Sequence, residues 1–199
     1  MNLHQQFQQI ASQKSHRLVL ELGSGQKPAY PDSIKIDRVA LANIDIVSDF
    51  SAGLPFIPDD SIDIIHSSHV LEHLADTQII MREMFRILKP GGELHIIVPH
   101  HSNPLYYNDY THKSPWGIYT IAYFSNQAFF QRPMPTFYND VNFTIESIFI
   151  GFYSCFKLRN AFLKVFQLLF NINTYTQELF EGGFCKIIPA YEIRLKLSK

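Results

Sequence analysis

From residue 17 onward the chain alternates short apolar runs with polar, turn-forming stretches. "RLVLEL" (17–22), "SIKIDR" (33–38), "NIDIVSDF" (43–50), "SIDIIHSS" (61–68) and "GELHIIVP" (92–99) each read as a strand or contain one. Between the last two, "DTQIIMREMFRILKPGG" sets Ile80, Met81, Met84, Phe85 and Leu88 on one helical face, with Asp76 as N-cap and a Pro-Gly-Gly stop. Continuous apolar strands joined this way predict a mostly parallel sheet covered on both faces, hence an α/β fold. "NFTIESIFIGF" and "CKIIPAYEIRLKL" add two further strands that close one edge as an antiparallel pair, with the amphipathic helix "FKLRNAFLKVFQLLF" between them. At the start, Leu3, Phe7 and Ile10 fall at helical spacing.

At 199 residues this is one domain. It divides into a core over 17–99, a polar and aromatic segment over 100–141 too long to be a mere connection, and C-terminal strands and helix over 142–199. The net charge of −1 and scattered Lys and Arg lack the basic footprint of a nucleic-acid binder. The two cysteines, Cys155 and Cys185, form neither a CxxC pair nor a disulfide framework, and the N-terminus lacks a signal-peptide core, so a cytoplasmic location is expected. No run reaches the roughly 18 apolar residues of a membrane span. The basic amphipathic helix is expected to cover its own core, with weak peripheral membrane contact as the other option. Nothing in the sequence fixes the oligomeric state.

Two stretches carry chemistry. "SSHVLEHL" spells H-x-x-E-H through His69, Glu72 and His73, a pattern that binds zinc when both histidines lie within one long helix. Here the stretch follows a strand, and Ala75 and Asp76 break the chain before the next helix, so the expectation is that no metal binds and that a zinc hydrolase is the lesser reading. The second is "LELGSGQKP", which sets Glu21, Gly23 and Gly25 at the carboxyl end of the first strand, where open α/β sheets bind ligands. Asp37 ends the second strand, where it can accept hydrogen bonds from two ribose hydroxyls. Asp49 follows the third, placed to accept from an adenine amino group.

With "LELGSG", "KIDR", "SDFSAGLPFIPDDSIDIIHSSHVLEHL" and "REMFRILKPGGELHIIVP" in this order, residues 17–99 resemble the class I S-adenosylmethionine-dependent methyltransferase family, in particular its small methyltransferase-domain members. The resemblance implies a Rossmann-like fold: a mostly parallel seven-stranded sheet with helices on both faces and an antiparallel C-terminal strand. It implies S-adenosylmethionine as cofactor and S-adenosylhomocysteine as product. Gly23, Ser24 and Gly25 would line the methionine part, Asp37 the ribose, Asp49 and Phe50 the adenine, and His69 would approach the methionine end, with Glu21 and Arg38 as further cofactor-binding residues. The chain departs from the family where a third glycine is usual: Lys27 stands there, followed by Pro28 and Pro31. The eleven residues 23–33 are too few for the usual first helix, which leaves the cofactor more exposed or covered by another segment such as the N-terminal helix. A similar short loop, with "HKSPW" and "PAYEI" segments, resembles bacterial methyltransferases of sugar and polysaccharide pathways.

Methyl transfer is an in-line displacement, so the protein mainly aligns and desolvates, and a hydroxyl acceptor also needs a base. "YYNDYTHKSPW" supplies His112 as that base, with Asp109 to orient it and His73 facing the same pocket. His101, Tyr107, Asn108 and Trp116, beside Tyr106, are the acceptor-binding candidates. The expected activity is methylation, at oxygen, of a small-molecule or saccharide-like acceptor. The competing reading is a methyltransferase-fold module that binds the cofactor without turnover and acts through a partner.

Overall fold

The apolar runs form seven strands: β1 (Val19–Leu22), β2 (Ile34–Asp37), β3 (Ile46–Val47), β4 (Ile62–Ser68), β5 (Leu88–Pro99), β6 (Thr144–Gly151) and β7 (Glu192–Ser198). They pair in the order β3-β2-β1-β4-β5-β7-β6 in a computed structural model that describes residues 1–14, 17–135 and 137–199. Strands β1 to β5 are parallel, and β7 runs antiparallel between β5 and β6. The order reverses at β1, with β2 on one side and β4 on the other. Open α/β sheets present a ligand crevice at such a point.

The helices follow their sequence signals. Asn2 and Gln5 form a capping box on α1 (Leu3–Ser12), which buries Phe7. His4 and Gln6 bond the carbonyls of Phe56 and Asp45, at 2.9 Å each, and so hold the helix beside β3. Asp76 caps α2 (Thr77–Ile87) by accepting from the Gln78 amide. Ile80, Met81, Met84 and Ile87 are wholly buried under the sheet, each contributing about 1.5–3 kcal/mol relative to exposure. The helix ends one residue before Leu88, the last apolar position on its predicted face, because Leu88 already pairs with Ile62 in the sheet. Glu83 and Arg86 pin α2 to the loop after β3. Glu83 accepts from the Leu54 amide at 2.7 Å, and Arg86 donates to the carbonyls of Leu54 and Ile57 at 3.0 and 2.9 Å.

Past β6, α3 (Lys157–Phe170) buries Leu163 and Phe170 but leaves Leu158, Phe162, Val165 and Leu168 exposed, so it covers the core along one narrow seam only. A second short helix, α4 (Thr174–Leu179), and a π turn over Phe180–Phe184 follow, neither of them signalled by periodicity. They bring Phe180 into the core and Glu181 against His100. Among the described residues, no helix is long and apolar enough to cross a membrane.

Candidate functional site

The crevice opens where β1 and β4 part. Its cavity of about 410 Å³ is lined by Gly23, Asp37, Arg38, Asp49, Phe50 and His69, with Val70, His73 and Lys113 on the side toward the 100–141 segment. That volume lies within the range of small-molecule sites. No α1 residue lines it, so the N-terminal helix does not cover this opening.

The glycine loop shapes one wall. Gly23 takes φ +66°, and a Cβ there would overlap Val70 Cγ2, so the close packing of loop on turn requires glycine. Gly25 takes φ +56°, facing open space. The loop stays in place without a helix because of Glu21. This buried carboxylate accepts from the amides of Ala29 and Tyr30, at 2.8 Å each, and from the Ser33 hydroxyl at 2.6 Å. Both Glu21 oxygens are thus turned into the loop rather than toward the cavity.

Asp37 Oδ2 accepts the Gly25 amide at 3.2 Å and Oδ1 the Val39 amide at 2.9 Å, leaving lone pairs on both oxygens. Asp49 caps the short turn Phe50–Ala52 through Oδ1, and its bond from the Ser51 amide holds its carboxyl below the usual range. The buried Ser24 hydroxyl has no partner among the described residues. A free hydroxyl on the glycine loop, an aspartate with open lone pairs at the end of β2, and a charged Asp49 beside Phe50 together fit an adenosyl cofactor.

His69 sits where β4 ends, in the left-handed region at φ +55°, with its amide bonded to Ile97 O at 2.8 Å. Its Nε2 lies 3.5 Å from Glu192 Oε2 and its Nδ1 lies 3.4 Å from Glu72 Oε1. Contact with Glu192, then with Glu72, outweighs burial and raises its pKa to about 9, so the crevice carries an imidazolium at neutral pH. Glu192 comes from β7, 123 residues beyond His69, and was not a sequence candidate.

The remaining candidates sit in the 100–141 segment. Lys113 N and Ser114 N donate to the Glu72 carbonyl at 2.7 and 3.1 Å, which fastens this segment to the turn Leu71–His73. His73 and His112 stack with ring centroids 4.8 Å apart. Thr111 Oγ1 donates to Asp109 Oδ1 at 2.6 Å and lies 2.8 Å from His73 Nδ1. His112, Asp109 and His73 are therefore together, joined by Thr111, whose "D-x-T" spacing was a local turn signal in the sequence. The acceptor-binding candidates do not converge there. Trp116 is buried and bridges to His100, Tyr107 and Asn108 are exposed, and His101 lies 3.7 Å from Glu181.

Comparison with known proteins agrees with this architecture. Residues 3–96, just under half of the chain, match the family profile described as a methyltransferase domain. The chain is 32% identical over 96 residues to the ubiquinone/menaquinone biosynthesis C-methyltransferase UbiE of Vibrio vulnificus, a match that covers 48% of this chain and 36% of that protein. It thus spans about a third of the length of that relative. A SAM-dependent methyltransferase from Archaeoglobus fulgidus shares the fold, with a TM-score of 0.57 at 18% identity, over 98% of this chain and 91% of that one. The [4+2]-cyclase SpnF also shares it, with a TM-score of 0.51 at 14% identity, over 98% and 80%. The fold is that of class I methyltransferases, and the match of residues 3–96 to a methyltransferase domain implies S-adenosylmethionine as the cofactor.

Proposed function

We propose that the protein transfers a methyl group from S-adenosylmethionine to a hydroxyl on a small-molecule acceptor, with saccharides as the leading class. The observation that carries this reading is the convergence of His73, His112 and Asp109 beside a crevice whose other walls hold Gly23, Asp37, Asp49 and Phe50. When bound, the cofactor supplies an electrophilic methyl on sulfonium. Asp37 would accept from the ribose hydroxyls and Asp49 from the adenine amino group, and His69 would supply positive charge for the carboxylate of the methionine end.

The tautomers of the two stacked histidines follow from their partners. His112 Nδ1 lies 2.8 Å from the Tyr106 carbonyl, which only accepts, so Nδ1 carries the proton and Nε2 the lone pair. Thr111 spends its hydroxyl proton on Asp109, so His73 Nδ1 donates to Thr111 and its Nε2 also carries a lone pair. Such lone pairs at the edge of the crevice can take the proton of an acceptor hydroxyl. The UbiE relative is a C-methyltransferase by name, and the His73–His112 pair is what favours oxygen chemistry here.

The test is calorimetric titration with S-adenosylhomocysteine, followed by labelled-methyl transfer across nucleotide sugars, glycans, phenols and quinols. One-to-one binding with label on oxygen supports the reading. Label on carbon of a quinol would replace it, and tight binding without turnover on any acceptor would favour the partner-dependent module.

A further inference from the structure

We propose that Glu72, His73 and His112 form a binding site for one divalent metal ion of the zinc class, at the edge of the cofactor crevice. One ligand atom from each residue lies within 4.8 Å of the other two. Two imidazoles and a carboxylate are a donor set of catalytic zinc, which keeps a fourth position open. Magnesium, which prefers oxygen ligands, fits it poorly.

Three observations turn proximity into a site. Glu72 is wholly buried, and neither of its oxygens accepts a hydrogen bond among the described residues. Oε1 has ion-pair contacts at 3.4 Å to His69 and 3.9 Å to His73, while Oε2 makes no ion-pair contact. His69 already meets Oε1, so Oε2 is the buried carboxylate oxygen left without a donor or a cation among the described residues, a costly arrangement. Second, both histidines are prepared as ligands: each Nδ1–H is held by an oxygen, Tyr106 O for His112 and Thr111 Oγ1 for His73, leaving the Nε2 lone pairs free. Metal-binding histidines are oriented in this way by their outer partners. Third, His112 Nε2 is 3.7 Å from Asp109 Oδ2, too long for a hydrogen bond, so that lone pair is not spent.

The contrast with the other histidine-carboxylate cluster sharpens the assignment. In His100, His101 and Glu181, both nitrogens of His100 are engaged, Nδ1 with Ser102 Oγ at 2.7 Å and Nε2 with Glu181 Oε2 at 2.8 Å. That cluster satisfies itself. The H-x-x-E-H stretch thus contributes Glu72 and His73 but not His69, whose two ring nitrogens contact Glu72 at 3.4 Å and Glu192 at 3.5 Å, and the third ligand arrives from the 100–141 segment.

Zinc bonds of about 2.0–2.1 Å set tetrahedral ligand atoms roughly 3.4 Å apart, so the cluster, whose ligand atoms lie within 4.8 Å of one another, would tighten on binding. His73 belongs to both the cluster and the crevice wall, so the ion would stand at the edge of the crevice. With its ligand nitrogens occupied, the ion would replace direct proton uptake by His73 and His112: it would acidify a bound acceptor hydroxyl, whose proton leaves to solvent. This catalytic use rests on the function proposed above, whereas metal binding itself does not.

The experiment is titration of chelator-treated protein with ZnCl2 and with MnCl2 by calorimetry, backed by elemental analysis. S-adenosylhomocysteine is titrated separately into the same samples. One Zn²⁺ per chain is expected. His112→Ala and Glu72→Gln should each weaken it by about 100-fold or more, beyond the range for outer partners. Thr111→Val, which leaves all three ligands, should weaken it about 10- to 100-fold and covers the case in which a ligand variant fails to fold. His101→Ala should leave it unchanged. No zinc binding, binding indifferent to His112→Ala and Thr111→Val, or loss on His101→Ala overturns the site. Failure to bind S-adenosylhomocysteine with zinc binding intact would instead overturn the function proposed above.

Discussion

The Gly25 amide donates to Asp37 Oδ2 at 3.2 Å, so the glycine loop and the end of β2 are joined by the carboxylate proposed to bind the ribose. Asp37→Ala removes both the ribose acceptor and this tie. The expected result is a loss of about 1–3 kcal/mol in S-adenosylhomocysteine affinity, roughly 5- to 150-fold, by calorimetry. Unchanged affinity would mean that the ribose lies elsewhere.

Gly23 and Gly25 have similar positive φ angles but different surroundings. Alanine at Gly23 meets Val70 as well as backbone strain, whereas alanine at Gly25 meets strain alone. Urea denaturation should show Gly23→Ala as the more destabilising by at least about 1 kcal/mol. Equal effects would show that Val70 yields without cost.

His73→Ala deletes a lone pair at the crevice edge while leaving Asp37 and Asp49 in place. Turnover on an identified hydroxyl acceptor should fall about 10²- to 10⁴-fold. Affinity for S-adenosylhomocysteine should stay within about 3-fold, less than 1 kcal/mol. A fall in affinity that matches the fall in turnover would assign His73 to cofactor binding instead.

Acid sensitivity has a source away from the site. Arg86 first, then the Leu54 amide, hold the Glu83 carboxyl below its usual value of 4.5 against the opposing effect of burial. The folded pKa is depressed, so this contribution is fully present above the unfolded value and is lost as pH falls through the folded one. Glu83→Gln should therefore lower stability at pH 7 and flatten the decline of urea midpoints below about pH 4.5. An unchanged acid slope would remove Glu83 as its cause.

The sheet was legible because each central strand is a short, mostly apolar run bounded by turn residues, and the antiparallel edge showed as two further runs on either side of the C-terminal amphipathic helix. The place of Asp37 and Asp49 was legible because acids at strand ends fall beside the crevice in this topology, and both line it. Other features depend on register or orientation, which composition does not encode. Glu192 reaches His69 only because β7 lies beside β5, with Glu192 opposite Pro99. Trp116 was expected to face an acceptor, yet it packs inward beside His100, since an aromatic residue in a loop carries no sign of which way it turns. The α4 and π-turn segment was missed because six helical residues give too short a period to detect.

Glu21 gives the short β1–β2 connection an unusual mechanical character. Three bonds from Ala29, Tyr30 and Ser33 meet on one side chain, so that chain acts as a keystone rather than as one contact among many. Losing that carboxylate would free three positions of the loop at once, while Asp37 and Asn43 still hold it at Gly25. One side chain of the first strand thus governs the far half of the connection, and the near half answers to the end of the second strand and the connection that follows it.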